Sequence, residues 1–160
     1  MKRKLSRRKA MDSYEACIHE MSELIDLPLQ IGPRGQFVLA VDGMVEIHIE
    51  HIAAREHIRF AALLWPLPPD AVRERVLESA LKANSTPYAH AGVLAFSKKR
   101  SSLVIYKHIP LEKMTADLLC DYLEQFILSS KAWIEALQSG RTEPDGIITS
   151  GGDGGLFGLR

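Results

Sequence analysis

Imidazole and carboxylate groups crowd one short stretch of the chain and could act as metal ligands. The stretch contains His48, Glu50, His51 and His57. A zinc site needs three or four such ligands at a suitable spacing, usually as a repeated short motif. Here no His-x-His or Cys-x-x-Cys element repeats, and polar residues at strand ends usually face solvent. We therefore predict no metal site and no cofactor.

Nucleophilic side chains are also present, but no motif places one of them against a base. Cys17 lies near His19, and His90 or His108 could serve a serine elsewhere in the chain. Nucleophilic catalysis requires the nucleophile and its base to be held within hydrogen-bonding reach. The glycine-rich run at 151–155 lacks the preceding strand and following helix of a phosphate-binding loop. We predict that the protein is not an enzyme.

Charge is distributed unevenly along the 160 residues, although the formal net charge is zero. Residues 1–10 hold six basic side chains and no acidic one, so 11–160 keeps 14 basic and 20 acidic residues. The resulting charge of −6 disfavours nucleic acid as the main partner of the globular part. The basic head could be a membrane or nucleic-acid arm, a disordered tail, or an extension before a natural start at Met11. We treat 1–10 as a disordered head.

Apolar runs and cysteines indicate a protein that remains in the cytoplasm. No apolar run reaches the roughly 18 residues needed for a membrane span. Ser6-Arg7-Arg8 is not followed by the apolar segment of an export signal, so we reject export. Cys17 and Cys120 fall in predicted amphipathic helices, and we expect free thiols in a reducing compartment.

Hydrophobic periodicity predicts eight elements in the order α-β-β-β-α-β-β-α. Apolar residues three or four apart indicate helices, alternation indicates strands, and proline and glycine mark the boundaries. Such an order predicts an α+β fold with a mostly antiparallel five-stranded sheet packed against helices. The domain should span 11–140, followed by a flexible glycine-containing tail at 141–160. The predicted helices are 11–26, 69–83 and 115–138, and the predicted strands are 36–41, 44–50, 57–64, 92–97 and 102–108.

Asp42-Gly43 predicts a tight hairpin, because both central residues of a type I′ turn need positive φ. A two-residue turn would place Val41 opposite Met44. One sheet face would then be a core face, and the other would carry an apolar patch that needs a cover. A client protein, a dimer mate or another part of the same chain could provide that cover. The patch, which is our candidate client-binding site, comprises Phe37, Leu39, Val41 and Met44.

Several segments together resemble a known family. The chain is similar over 11–138 to the class I type III secretion chaperones, the CesT-like or Tir-chaperone family. The basic head and the glycine-containing tail depart from the family pattern. The segments that carry the resemblance are Leu27-Pro28, FVLAVDGMVEIHI (37–49), LLWPLP (63–68), LESALKAN (77–84), Gly92-Val93-Leu94-Ala95 and LLCDYLEQFILSSKAW (118–133).

The resemblance implies an ATP-independent homodimer in the bacterial cytoplasm. Such chaperones bind the amino-terminal segment of a secreted effector in extended form and keep it competent for secretion. The secretion ATPase is a further candidate partner. The dimer interface would involve the second helix and nearby strands, and the candidate residues are Val76, Leu77, Ala80 and Leu81. From the residues alone, this helical stripe could equally pack on its own sheet, and both contacts can coexist.

A second interpretation is a small protein-binding or regulatory module of the secretion system. Its partner would be the secretion ATPase, a transcription factor or a small ligand rather than an effector. Nothing in the sequence excludes this interpretation, because it requires the same fold and no catalytic motif.

Overall fold

Eight elements build one twisted sheet with helices against it. The computed structural model describes residues 2–85 and 91–145, and the side chains from residue 11 onward within those ranges. The predicted α+β fold and element order are confirmed. The elements are α1 (Lys2–Leu24), β1 (Gln36–Val41), β2 (Val45–Ile52), β3 (His57–Pro66), α2 (Ala71–Asn84), β4 (Val93–Ser97), β5 (Ser102–Pro110) and α3 (Ala116–Gln138).

Every strand pair in the sheet is antiparallel, and the strand order is β1-β2-β3-β5-β4. Helix α2 connects β3 to β4, and the β4–β5 hairpin then returns β5 to the side of β3. The two edges of the sheet are therefore β1 and β4. This arrangement brings residues from β2, β3 and β5 together at the centre of the sheet.

The hairpin at Asp42-Gly43 forms as predicted, but its register differs by one residue. Asp42 and Gly43 have φ of 51° and 64°, and the Met44 amide donates to the Val41 carbonyl over 2.9 Å. Val41 nevertheless pairs with Val45, not with Met44. The predicted pairing is wrong because Met44 adds a residue to the loop, as in a β-bulge.

A register change of one residue exchanges the two faces of a strand. In β1 the core-facing side chains are therefore Phe37, Leu39 and Val41, each less than one-tenth exposed. Val38 is half exposed on the opposite face. We call the face that carries Val38 the outer face of the sheet.

The core lies between the opposite sheet face and the helices. Helix α3 packs on β2 and β3, and α1 packs on α3. Phe60 of β3 meets Phe126 of α3 edge-on, with ring centroids 5.6 Å apart. Lys131 of α3 reaches the β1–β2 turn, where its ammonium lies 2.8 Å from the Asp42 carboxylate. Helix α3 thereby contacts the β1–β2 turn as well as β2 and β3.

Local signals set the helix ends. The Asp70 carboxylate accepts hydrogen bonds from the amides of Val72 and Arg73 at the start of α2. Thr115 caps α3 in the same way, and Gly140 follows that helix with φ of 78°. No helix among the described residues is both long and apolar enough to cross a bilayer.

Helix α1 begins at Lys2, nine residues earlier than predicted. The described backbone of residues 2–10 continues the helix, in contrast to the expected disordered head, and the domain division at residue 11 stays a prediction. Alanine, leucine, lysine and arginine are favourable helix formers, so the extension agrees with intrinsic propensity. The predicted flexible tail lies outside the described residues from residue 146 onward.

Candidate functional site

The predicted client-binding patch does not form on the surface of the described chain. Phe37, Leu39 and Val41 are part of the hydrophobic core, and only Met44 is exposed, at 37%. The physical reason is the shifted hairpin register, which turns these side chains of β1 into the core. A role for Met44 in client contact stays a prediction, whereas the other three side chains lack the exposure that the prediction assumed.

An apolar groove lies instead across the outer face, over β3 and β5. Cross-strand pairing aligns His48, Ala61 and Tyr106 in one row, and Leu63 pairs with Val104 in the next. The groove has a volume of about 520 Å³. Its lining residues are His48, Arg59, Ala61, Ala62, Leu63, Ser97, Val104, Ile105, Tyr106 and His108.

One end of this groove is polar. Here Arg59 of β3 forms an ion pair with Glu50 of β2 and pairs in the ladder with His108 of β5. The His108 ring contacts His57 and Tyr106 edge-on, with centroid distances of 6.4 and 5.8 Å. Burial lowers the pKa of His108, and the cationic groups of Arg59 and Arg55 and the ring of His57 lower it further.

Strand β1 presents an open edge beside this face. The His51 amide donates to the Gly35 carbonyl, so alternate residues of β1 bond to β2 from that point. Val38 and Ala40 consequently direct their amide and carbonyl groups away from the sheet. Within the described residues, no other element bonds to these groups. An open edge of this kind can accept an additional strand.

Strand β4 forms the opposite edge and is partly covered. The Asn84 side chain accepts from the Leu94 amide over 2.9 Å and donates to the Leu94 carbonyl over 2.8 Å. The end of α2 thus takes the place of a neighbouring strand at Leu94. Of the two edges, β1 is the one better suited to pairing with an extended peptide.

The candidate dimer residues occupy different positions on α2. Val76 and Ala80 are buried inside the protomer, and Leu77 is partly buried against the core. Leu81 is 69% exposed. The alternative in which this stripe packs on its own sheet is therefore realised for Val76 and Ala80. The dimer interface stays a prediction, with Leu81 as its most accessible member.

The residues considered for metal binding do not converge. His48 and Glu50 lie on the outer face, whereas His51 lies on the core face and stacks on Tyr14 at a centroid distance of 5.1 Å. No group of three or more histidine, cysteine, aspartate or glutamate side chains suited to a metal ion occurs in the described ranges. His90 and the glycine run at 151–155 are outside those ranges.

Both cysteines are free, as predicted, and the structure places both in buried positions. Burial, together with the nearby Glu20 and Cys120, raises the pKa of Cys17 to about 11. Burial likewise raises the pKa of Cys120. A thiol is a nucleophile only when deprotonated, so neither cysteine is poised for catalysis.

The outer-face groove was missed at the sequence level, although a signal for it exists. Val104, Tyr106 and His108 alternate with core residues along β5, and Ala61 and Leu63 do so along β3. Two strands with apolar residues on both faces indicate that each face has a neighbour or a binding role. Which strands are adjacent follows only from the tertiary structure.

Comparison with solved structures gives the same fold in several secretion complexes. A chain of the HopA1–SchA chaperone–effector complex superposes with a TM-score of 0.66 at 23% identity, covering 80% of this chain and 98% of that one. A chain from the complex of the Yersinia pestis type III secretion chaperone SycH with a YscM2 fragment gives a TM-score of 0.60 at 13% identity. The match covers 74% of this chain and 97% of that one. A chain from the ExoT–SpcS complex of Pseudomonas aeruginosa gives a TM-score of 0.56 at 20% identity. The match covers 74% of this chain and 95% of that one.

Sequence comparison provides the family assignment. No curated protein matches this chain. The model of the Tir chaperone protein (CesT) family matches residues 16–134, which is most of the chain and contains every element from the middle of α1 to the end region of α3. The resemblance seen in the sequence is confirmed, and the chain belongs to the Tir chaperone protein (CesT) family.

Proposed function

We propose that this protein is an ATP-independent cytoplasmic chaperone of type III secretion. It binds the amino-terminal segment of one or more secreted effectors in extended form and keeps them competent for secretion, without catalysis. Family membership supports this proposal, as does the same fold in chaperone–effector complexes. The observation that carries it is the apolar groove on the outer face beside the open edge of β1.

The open edge of β1 and the outer-face groove suit different parts of an extended client. A peptide strand added at β1 would pair its backbone with the outward amides and carbonyls of Val38 and Ala40. The groove over β3 and β5 would take apolar side chains at Ala61, Leu63 and Val104. Burial of apolar surface contributes about 25 cal/mol per Å², and part of that is offset by the cost of ordering the client. Several such contacts together are needed for stable capture.

We also propose that the chaperone acts as a homodimer. Leu81 on α2 is a large apolar side chain left exposed by the protomer, and Val93 of β4 is exposed as well. A twofold contact that includes this region would cover both residues. Two copies would give the client a longer continuous binding surface. Delivery would then involve contact with the secretion ATPase.

The test of function is capture of clients from the native host. The full chain is purified from its host, and copurifying proteins are identified by mass spectrometry and cross-linked to locate the bound segment. We expect one or a few secreted proteins bound near their amino termini. A stable partner of another class, such as a transcription factor, would instead support the regulatory-module interpretation.

A pair of variants tests whether the groove carries the binding. Leu63 lines the groove and is 45% exposed, whereas Leu118 on α3 is 39% exposed and lies away from the groove. The Leu63→Glu variant should have an affinity for the client about tenfold lower or weaker still, because a carboxylate in an apolar groove must be desolvated. Leu118→Glu is the matched control and should retain it. Equal retention by both variants would contradict the assignment of the groove.

A further inference from the structure

We propose that the polar end of the outer-face groove binds an acidic side chain of the client, so that clients are selected for an aspartate or glutamate beside their apolar anchors. This inference rests on the proposed function and adds the chemistry by which the site discriminates among segments. The partner it specifies is an extended acidic–apolar peptide segment.

Sheet geometry places the polar and apolar parts of the groove side by side. One cross-strand row contains Glu50, Arg59 and His108, and the adjacent row on the same face contains His48, Ala61 and Tyr106. Rows on one face are two residues apart, which is about 7 Å along a strand. An extended client has the same repeat. An acidic residue two positions from an apolar anchor would therefore reach one row while its neighbour fills the other.

Arginine and histidine side chains outnumber carboxylates at the polar end, where Glu50 faces Arg59 and Glu56 lies between Arg55 and His57 in the chain. The charged and titratable groups that act on His108 are Arg59, Arg55 and His57, and none of them is acidic. The carboxylate on the adjoining strand, Glu50, is already engaged by Arg59. An arginine guanidinium has five N–H donors in a fork, so a second acceptor can be accommodated beside the first. A client carboxylate between Arg59 and His108 would accept hydrogen bonds from the guanidinium and from the imidazole N–H.

Other occupants fit this surface less well. A nucleic-acid backbone carries charge at every residue, but Ala61, Leu63 and Val104 make most of the groove apolar. A second copy of this chain would need a segment that presents both an acidic and an apolar residue to the groove. The test below distinguishes that occupant by the molecular mass of the protein in solution. The juxtaposition of an apolar floor with a cationic end favours a peptide that has both characters.

The experiment uses a display library of random 30-residue segments, panned on the immobilised full chain. Wild-type protein should enrich segments that carry aspartate or glutamate about two residues from an apolar residue. His108→Glu reverses the local charge preference and should enrich lysine or arginine at that position. Binding of wild-type-selected segments to this variant should fall about tenfold, the effect of losing a charge-assisted contact.

Two controls separate the charge effect from damage to the fold. Gln138→Glu adds the same single negative charge at an exposed position at the end of α3 and should leave the selected sequences unchanged. His108→Gln removes the titrating ring without adding charge and should weaken, but not invert, the acidic preference. Urea unfolding midpoints of all variants identify any loss of stability.

The outcomes distinguish this inference from the proposed function. If wild-type and His108→Glu proteins retain the same apolar segments with no acidic enrichment, the inference is overturned while the chaperone function stands. If no segment is retained by any protein, both are overturned. If His108→Glu changes the molecular mass of the protein in solution and not the selected sequences, the face is a contact between copies and the inference is wrong.

Discussion

The ring of His51 is packed in the core against Tyr14, nearly parallel to it, with an interplanar angle of 13°. Neither ring nitrogen of His51 nor the Tyr14 hydroxyl has a hydrogen-bond partner in the described structure. Burial lowers the pKa of His51, an effect that the carboxylate of Glu56 partly opposes. Burial raises the pKa of Tyr14. The contact between α1 and β2 therefore depends on a neutral imidazole.

Acid should weaken this contact. The unfolded chain binds a proton at histidine near pH 6.5, whereas the buried ring resists protonation, so the unfolded state holds more protons below that pH. The stability that neutral His51 contributes is complete above about pH 6.5 and is lost as the pH falls. His51→Phe should reduce the fall in unfolding free energy between pH 7.5 and 5.5 by about 1 kcal/mol at most.

Urea unfolding at the two pH values measures this difference. His19→Asn, at an exposed position on α1, is the control for the loss of an imidazole outside the core. A His51→Phe protein whose stability falls with pH as steeply as the wild type would show that His51 is not the group responsible.

Gly92 is required at its position by a close approach rather than by its backbone angles. A methyl group there would lie 2.8 Å from Cγ1 of Ile105 and 3.0 Å from the carbonyl oxygen of Tyr106. The carbonyl belongs to the backbone of β5, so relief requires the two strands to separate. Gly92→Ala should lower the unfolding free energy by about 1–3 kcal/mol.

Denaturant titration checks this value. Gly43→Asn is a suitable control, because a side chain at Gly43 meets nothing within 4 Å and asparagine tolerates the positive φ there. A Gly92→Ala protein as stable as the wild type would mean that β4 can move away from β5 at little cost.

At the scale of elements, Asn84 fastens α2 to the edge of the sheet. Its two hydrogen bonds with Leu94 join the last residue of the helix to the second residue of β4. Arg73 supports the same contact from the first turn of α2, where its guanidinium lies 4.8 Å from the ring centroid of Phe96 and donates to the Leu67 carbonyl. The position of α2, and hence of Leu81, depends on these contacts.

Removal of the Asn84 side chain should detach the end of α2 from β4. Asn84→Ala leaves the partly buried amide and carbonyl of Leu94 without partners, which costs about 1–3 kcal/mol. Hydrogen exchange measured by NMR should show lost protection at the Leu94 amide. Asn84→Asp is the matched variant, since it keeps an acceptor for that amide and should preserve its protection. Unchanged exchange in Asn84→Ala would show that another group covers this edge.

At the scale of the whole molecule, the predicted association concerns the exposed side of α2. Light scattering should give about twice the chain mass of 17.9 kDa. Leu81→Arg should shift the protein toward the monomer mass at micromolar concentration, because a charge would be buried in the contact. Leu118→Arg places the same change at an exposed leucine of α3 and should leave the mass unchanged. A wild-type monomer would contradict the dimer.

Local chemistry was sufficient to predict the element order, most helix and strand boundaries, and the Asp42-Gly43 turn. Periodicity acts over a few residues, so α2 and α3 could be recognised from sequence, whereas their amino-terminal caps, Asp70 and Thr115, were identified in the structure. The family resemblance was readable for the same reason, since it lies in the order and spacing of such segments.

Packing across the chain decided the rest. Strand β1 is apolar on both faces, so the sequence could not say which face lies under α3, and a single looped-out residue, Met44, reversed the expected answer. The groove could not be predicted either, because its two sides belong to β3 and β5, which are distant in sequence and become neighbours only in the sheet. Short-range preferences determine which elements form, whereas burial of the whole apolar surface determines which of their faces remains available for a partner.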